Sequence, residues 1–188
     1  MGRGRKIVLM GVDNSGKTTL ARNLKEVLNN KGFDFSYMPP LGVAPLERQE
    51  EYLGMVLFDE KNVIIDRLPV IEEEVAGRIF RNTSNFDKVN KDKIFGYYQN
   101  VDMIIFCNPS LEVITNWGTR PQMDGVKENA EKLQKGYEEL FFKLIMEMAG
   151  MDISFWEYDW RSDVTGRRCH EIVESIVELL EEKEEVAE

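Results

Sequence analysis

Apolar residues in this chain fall into short runs, separated by longer stretches where they recur every three or four positions. Runs of strand length are Lys6–Met10, Asp34–Tyr37, Asn62–Asp66, Val101–Cys107 and Ile153–Tyr158. Helical spacing predicts a first helix over Thr18–Lys31, with Leu20, Ala21, Leu24, Val27 and Leu28 on one stripe and Gly32 as its stop. Further helices are expected over Pro45–Asp59, from Pro69 to about Arg81, within Asp87–Asn100, over Leu111–Trp117, over Val126–Ala149 and over Val164–Glu185. The last buries Ile172, Val173, Ile176, Val177 and Leu180.

Five apolar strands alternating with helices predict a parallel sheet covered on both faces. Ligands of such sheets bind beyond the carboxyl ends of the strands. Those ends are Met10–Gly11, Tyr37–Pro39, Asp66–Arg67, Cys107–Asn108 and Tyr158–Asp159.

Composition narrows the classes. The 188 residues show no repeat or linker and read as one domain, 1–188. No apolar run approaches the ~20 residues of a membrane span. Ile7–Met10 is too short for a signal peptide and reads as a buried first strand. A net charge of −10 argues against a protein held on nucleic-acid phosphates. Cys107 and Cys169 form no metal pattern, which fits a reducing cytoplasm; a secreted chain with one disulfide is the alternative.

The chemistry begins at Gly11-Val12-Asp13-Asn14-Ser15-Gly16-Lys17-Thr18, which satisfies G-x-x-x-x-G-K-[ST]. Glycines let successive backbone N–H groups turn inward around a phosphate, and the following helix adds its positive end. Lys17 can reach the terminal phosphates, and the Thr18 hydroxyl can ligate Mg²⁺. The competing reading is a glycine-rich turn, but a strand precedes the motif and an amphipathic helix succeeds it. No guanine-reading Asn-Lys-x-Asp comes after a strand; the fourth ends Cys107-Asn108-Pro109-Ser110. The third strand ends in Asp66-Arg67, a carboxylate for metal-bound water and a guanidinium for a phosphate.

Three stretches together resemble the thymidylate kinase family of P-loop nucleoside monophosphate kinases, its phage-type members in particular. They are Gly11–Thr19 with its loop aspartate Asp13, Val63-Ile64-Ile65-Asp66-Arg67, and the long helix around Gly136-Tyr137. The resemblance implies a three-layer fold with a parallel sheet in the order 2-3-1-4-5. It implies ATP- and Mg²⁺-dependent phosphorylation of a deoxynucleoside monophosphate, and suggests a homodimer. By match, Gly11, Asn14, Ser15, Gly16, Lys17, Thr18 and Thr19 hold ATP; Thr18 and Asp66 organise the metal; Asp13 and Arg67 face the acceptor.

The second strand leads into Met38-Pro39-Pro40 rather than the family's Arg-Glu-Pro-Gly, which moves the acceptor grip to Arg67 and Arg78. The candidate lid, 116–127, contains Arg120 as its sole arginine, the expected closing cation; the bland reading is a helix–helix loop. Glu73 is a further acceptor-side candidate against a solvated helix start, and Tyr98 a stacking candidate against core packing. Asp159 and Arg161 are candidates beside the adenine. Rival readings are a deoxynucleoside kinase, a kinase of a modified base in DNA, and a nucleotide-binding regulator without transfer activity.

Overall fold

The computed structural model describes residues 3–116 and 125–186. Five parallel strands, β1 (Lys6–Met10), β2 (Phe35–Met38), β3 (Asn62–Asp66), β4 (Met103–Cys107) and β5 (Ser154–Tyr158), form one sheet in the order β2-β3-β1-β4-β5. This is the expected order.

The strands alternate their side chains between two cores, as the period of two requires. Ile7, Leu9, Ile64 and Ile105 face helices α1 (Lys17–Asn30) and α8 (Arg167–Val186), packing on Leu20, Leu24, Leu28, Ile172 and Ile176. Val8, Met10, Ile65, Ile104 and Phe106 face the other way. There they join Leu53 and Val56 of α2 (Leu46–Leu57), Tyr98 of α5 (Lys91–Tyr98), and Tyr137, Leu140 and Phe141 of α7 (Ala130–Glu147). Every residue of β1 and β4 is buried, because helices cover both faces. Even Lys6 is fully covered; its ammonium donates to the carbonyls of Gly4, Asp59 and Lys61.

Local chemistry moves several element ends. The helix expected from Pro69 to Arg81 is α3 (Pro69–Glu72), a π turn (Glu73–Gly77) and α4 (Arg78–Arg81). The helix expected within Asp87–Asn100 starts at Lys91, capped by the Asn90 side chain, after a short 3₁₀ turn (Asn85–Lys88) that Ser84 caps. The final helix starts at Arg167 rather than Val164, since Asp163 accepts from the N–H groups of Arg168 and Cys169. The long helix begins at Ala130 rather than Val126, and α6 covers Leu111–Thr115. Val27, expected on the buried stripe of α1, is 40% exposed.

Candidate phosphoryl-transfer site

The turn from β1 into α1 is built from residues that tolerate left-handed backbone. Gly11, Asn14 and Gly16 have φ of 133°, 64° and 93°. A Cβ on Gly11 would lie 2.5 Å from the Cys107 carbonyl oxygen, so the loop can rest against β4 only with glycine there. The Asn14 amide donates to the Val113 carbonyl at 2.9 Å, tying the loop to α6. Inside the loop, the Lys17 ammonium donates to the carbonyls of Gly11 and Val12 at 2.7 and 2.6 Å. Burial pulls its pKa down, and the negative charge of Asp66 and Glu72 opposes that pull. Thr18 and Thr19 are exposed at the mouth.

At the end of β3, Asp66 is 1% exposed. Its Oδ2 accepts from the Thr18 hydroxyl at 2.8 Å and the Tyr37 hydroxyl at 3.0 Å. Its Oδ1 is buried with no partner among the described residues. A buried carboxylate oxygen without a donor is a place for a metal-bound water or a cation. That observation fits Mg²⁺ held by Asp66 and Thr18 together with nucleotide phosphates. Among the described residues, no group of three or more His, Cys, Asp or Glu could hold a metal ion.

Arg67 has a left-handed backbone, φ 73°, unusual for a side chain of this size and typical of strained functional turns. One guanidinium nitrogen pairs with Asp13 in the middle of the loop; the other donates to Glu72 Oε2 at 3.0 Å. Burial works against this charge, but Glu72 and Tyr137 raise its pKa overall. Glu72 Oε1 accepts from the Tyr137 hydroxyl at 2.5 Å. Gly136 lets α7 approach closely enough for this bond, since a Cβ there would lie 2.9 Å from Val75 Cγ1.

Two cavities meet at these residues. One is bounded by Asn14, Gly16, Lys17, Thr18, Thr19 and Asp66. The other, lined by Leu41, Val43, Gln49, Ala76, Phe80 and Leu133 among others, also takes in Glu72, Glu73, Arg81 and Tyr137. Asp13, Pro40 and Arg67 line both.

The remaining candidates divide. Glu73 lines the second cavity, but protein donors occupy its carboxylate: Gln49 and Asn85 on Oε1, Arg81 and the Asn85 N–H on Oε2. Arg78 is not in the cavity; it pairs with Glu74 and Asp87, both at 2.8 Å, on the outer side of the helix. Arg81, which shares the helix face of Glu73 and Gly77, is the arginine that lines the cavity. Tyr98 packs in the core with Phe86 and Leu144 and lines neither cavity. Asp159 also lines neither; its carboxylate closes a turn on the Arg161 N–H at 2.9 Å. From that turn Trp160 lies over Gly16 instead. Arg120 and most of the candidate lid lie outside the described residues. Sequence reasoning does not single out Gln49, Arg81 or Asn85.

The sheet order and the cradle at β1 define a P-loop kinase fold. No family model and no curated protein sequence matches the chain. Among solved structures, its backbone is similar to that of the YorR protein from Bacillus subtilis in complex with phosphorylated GDP. The TM-score is 0.63 at 18% identity, over 96% of this chain and 98% of that one. It is also similar to deoxyadenosine kinase from M. mycoides with bound dCTP, with TM-score 0.55, 20% identity and 92% and 99% coverage. Thymidylate kinase from Ehrlichia chaffeensis gives TM-score 0.51 and 14% identity over 93% and 99% of the two chains.

Proposed function

We propose that the protein transfers the terminal phosphoryl group of ATP, with Mg²⁺, to the phosphate of a nucleoside or deoxynucleoside monophosphate. The observation that carries this reading is Arg67, a cation lining both cavities at once. A phosphate held there from the second cavity would face a nucleotide phosphate held by the loop. Kinase catalysis of this kind is mostly positioning and charge neutralisation. The loop N–H groups and Lys17 would hold the donor phosphates, and Arg67 the acceptor. Mg²⁺, held by Thr18 and Asp66, would supply charge neutralisation on the phosphates. The likeness to thymidylate kinase supports a monophosphate acceptor.

A second reading is a deoxynucleoside kinase. Asp13 and Glu72 flank Arg67, so a carboxylate is at hand to take a hydroxyl proton, and one similar structure is a deoxyadenosine kinase. A coupled ADP-release assay across the common ribo- and deoxyribonucleoside monophosphates, with nucleosides in parallel, separates the two. Turnover is expected with at least one monophosphate. Turnover confined to nucleosides would overturn the proposal in favour of the second reading, and ATP binding without transfer to any acceptor would favour a regulator.

A further inference from the structure

Tyr37 lines neither cavity, and its ring packs against the core that α1 and α8 cover. Strand register sets its reach. Tyr37 pairs with Ile64 across the β2–β3 ladder, and Asp66 lies two residues further along β3, on the same face of the sheet. The phenol extends to that carboxylate and donates to Oδ2 at 3.0 Å. Thr18, in the first turn of α1, donates to the same oxygen at 2.8 Å. Two hydroxyls from different elements therefore meet on Oδ2, while the buried Oδ1 has no partner among the described residues.

This arrangement has two physical consequences. The terminal torsion of an aspartate is otherwise broad, but this carboxylate cannot turn without losing one of its donors. It also has one oxygen left to offer. A carboxylate that binds through one oxygen suits Mg²⁺, which demands near-octahedral geometry and keeps several waters. Ca²⁺ takes more oxygens at longer distances and readily uses both oxygens of one carboxylate.

Resting on the Mg²⁺ assignment within the kinase reading, we propose that Tyr37 is a positioning residue for the metal–nucleotide complex. With Thr18 it fills Oδ2, leaves Oδ1 alone for the cation or its bound water, and so favours Mg²⁺ over Ca²⁺. Tyr37 itself touches neither the nucleotide nor the metal.

The test measures ADP binding by calorimetry without divalent ions, in MgCl₂ and in CaCl₂, for the wild type, Tyr37→Phe and Tyr52→Phe. Phenylalanine keeps the packed ring and removes only the donor. Tyr52→Phe is the control, since that hydroxyl donates to the Pro39 carbonyl at 3.2 Å instead. The wild type should bind ADP more tightly in MgCl₂ than in CaCl₂. Tyr37→Phe should weaken binding in MgCl₂ by about tenfold and leave metal-free binding within about twofold, which narrows the gap between the two cations. Tyr52→Phe should leave that gap as it is. Unchanged binding of Tyr37→Phe in MgCl₂, or an equal loss in all three conditions, overturns the inference and leaves the kinase reading standing. An equal loss in MgCl₂ and CaCl₂ alone overturns the cation selectivity. Wild-type ADP binding that is indifferent to MgCl₂ overturns both the inference and the assignment of the metal to Thr18 and Asp66.

Discussion

Arg67 and Asp13 form an ion pair that joins the end of β3 to the middle of the phosphate loop. The pair is only about one-fifth exposed, and the other side of the guanidinium is held by Glu72. Arg67 is therefore fixed from both sides before any ligand arrives, which is the arrangement electrostatic catalysis requires.

Removing that cation should damage transfer far more than folding. Arg67→Ala is expected to lower kcat/KM for a phosphorylated acceptor by about 10²- to 10³-fold. Asp13→Asn, which loosens only one side, should cost about tenfold. Steady-state kinetics beside thermal melts decide this; an Arg67→Ala enzyme with unchanged kcat/KM would remove Arg67 from the mechanism.

Lys17 makes the nucleotide-free protein pH-sensitive. Its folded pKa lies below the ordinary 10.5 because it is buried. The unfolded chain therefore binds the proton more tightly across that interval, and stability rises with pH there. Relative to Lys17→Met, the wild type should gain stability as pH climbs toward 10.5. The difference between the two melting curves is the observable; a difference flat in pH refutes the assignment. Lys17→Met should also abolish transfer, having lost the charge that meets the phosphates.

The two thiols should react separately. Cys107 is fully buried at the end of β4, and burial pushes its pKa up to about 12. Cys169 is only partly buried. A thiol reagent at neutral pH should modify Cys169 in the native protein and Cys107 only in denaturant. Peptide mass mapping reads the result. Because the folded pKa of Cys107 is raised, its contribution to stability holds below its ordinary 9.0 and fades as pH rises toward about 12.

Gly16 is held by two separate constraints. Its φ of 93° disfavours any side chain, and a Cβ would lie 2.8 Å from Cδ1 of Trp160. Gly16→Ala should destabilise the protein by about 1–3 kcal/mol and weaken ATP binding. Adding Trp160→Ala should relieve the steric part and leave the backbone part. Melts and nucleotide titrations of both variants test this; full recovery in the double variant would mean that φ contributes nothing.

Much of the fold was legible because its signals are contiguous. Unbroken apolar runs marked β1, β3 and β4, shorter apolar and aromatic stretches marked β2 and β5, and Leu20, Leu24 and Leu28 marked α1. The phosphate loop was legible for the same reason, since a turn around an anion needs glycines, lysine and threonine in fixed succession. Asp66 and Arg67 stood out by their place at a strand end. Gln49 had a fainter signal: it is a polar residue one turn before Leu53 on the stripe continued by Val56 and Leu57, where a buried amide demands partners.

The sequence by itself determined the alternation of strands and helices, the phosphate loop and the carboxylate–arginine pair beyond β3, because each depends on neighbours within a few residues. The tertiary structure decided which side chains line the second cavity. The segment from Pro69 to Arg81 presents Glu73, Gly77 and Arg81 to the cavity and turns Arg78 to Glu74 and Asp87 on the outer side. The close approach of α7 through Gly136 places Tyr137 on Glu72. The packing of α2 brings Gln49 to Glu73, 24 residues away in sequence. No local pattern encodes these contacts, because helix phase and interhelical distance are set by packing between segments far apart in the chain.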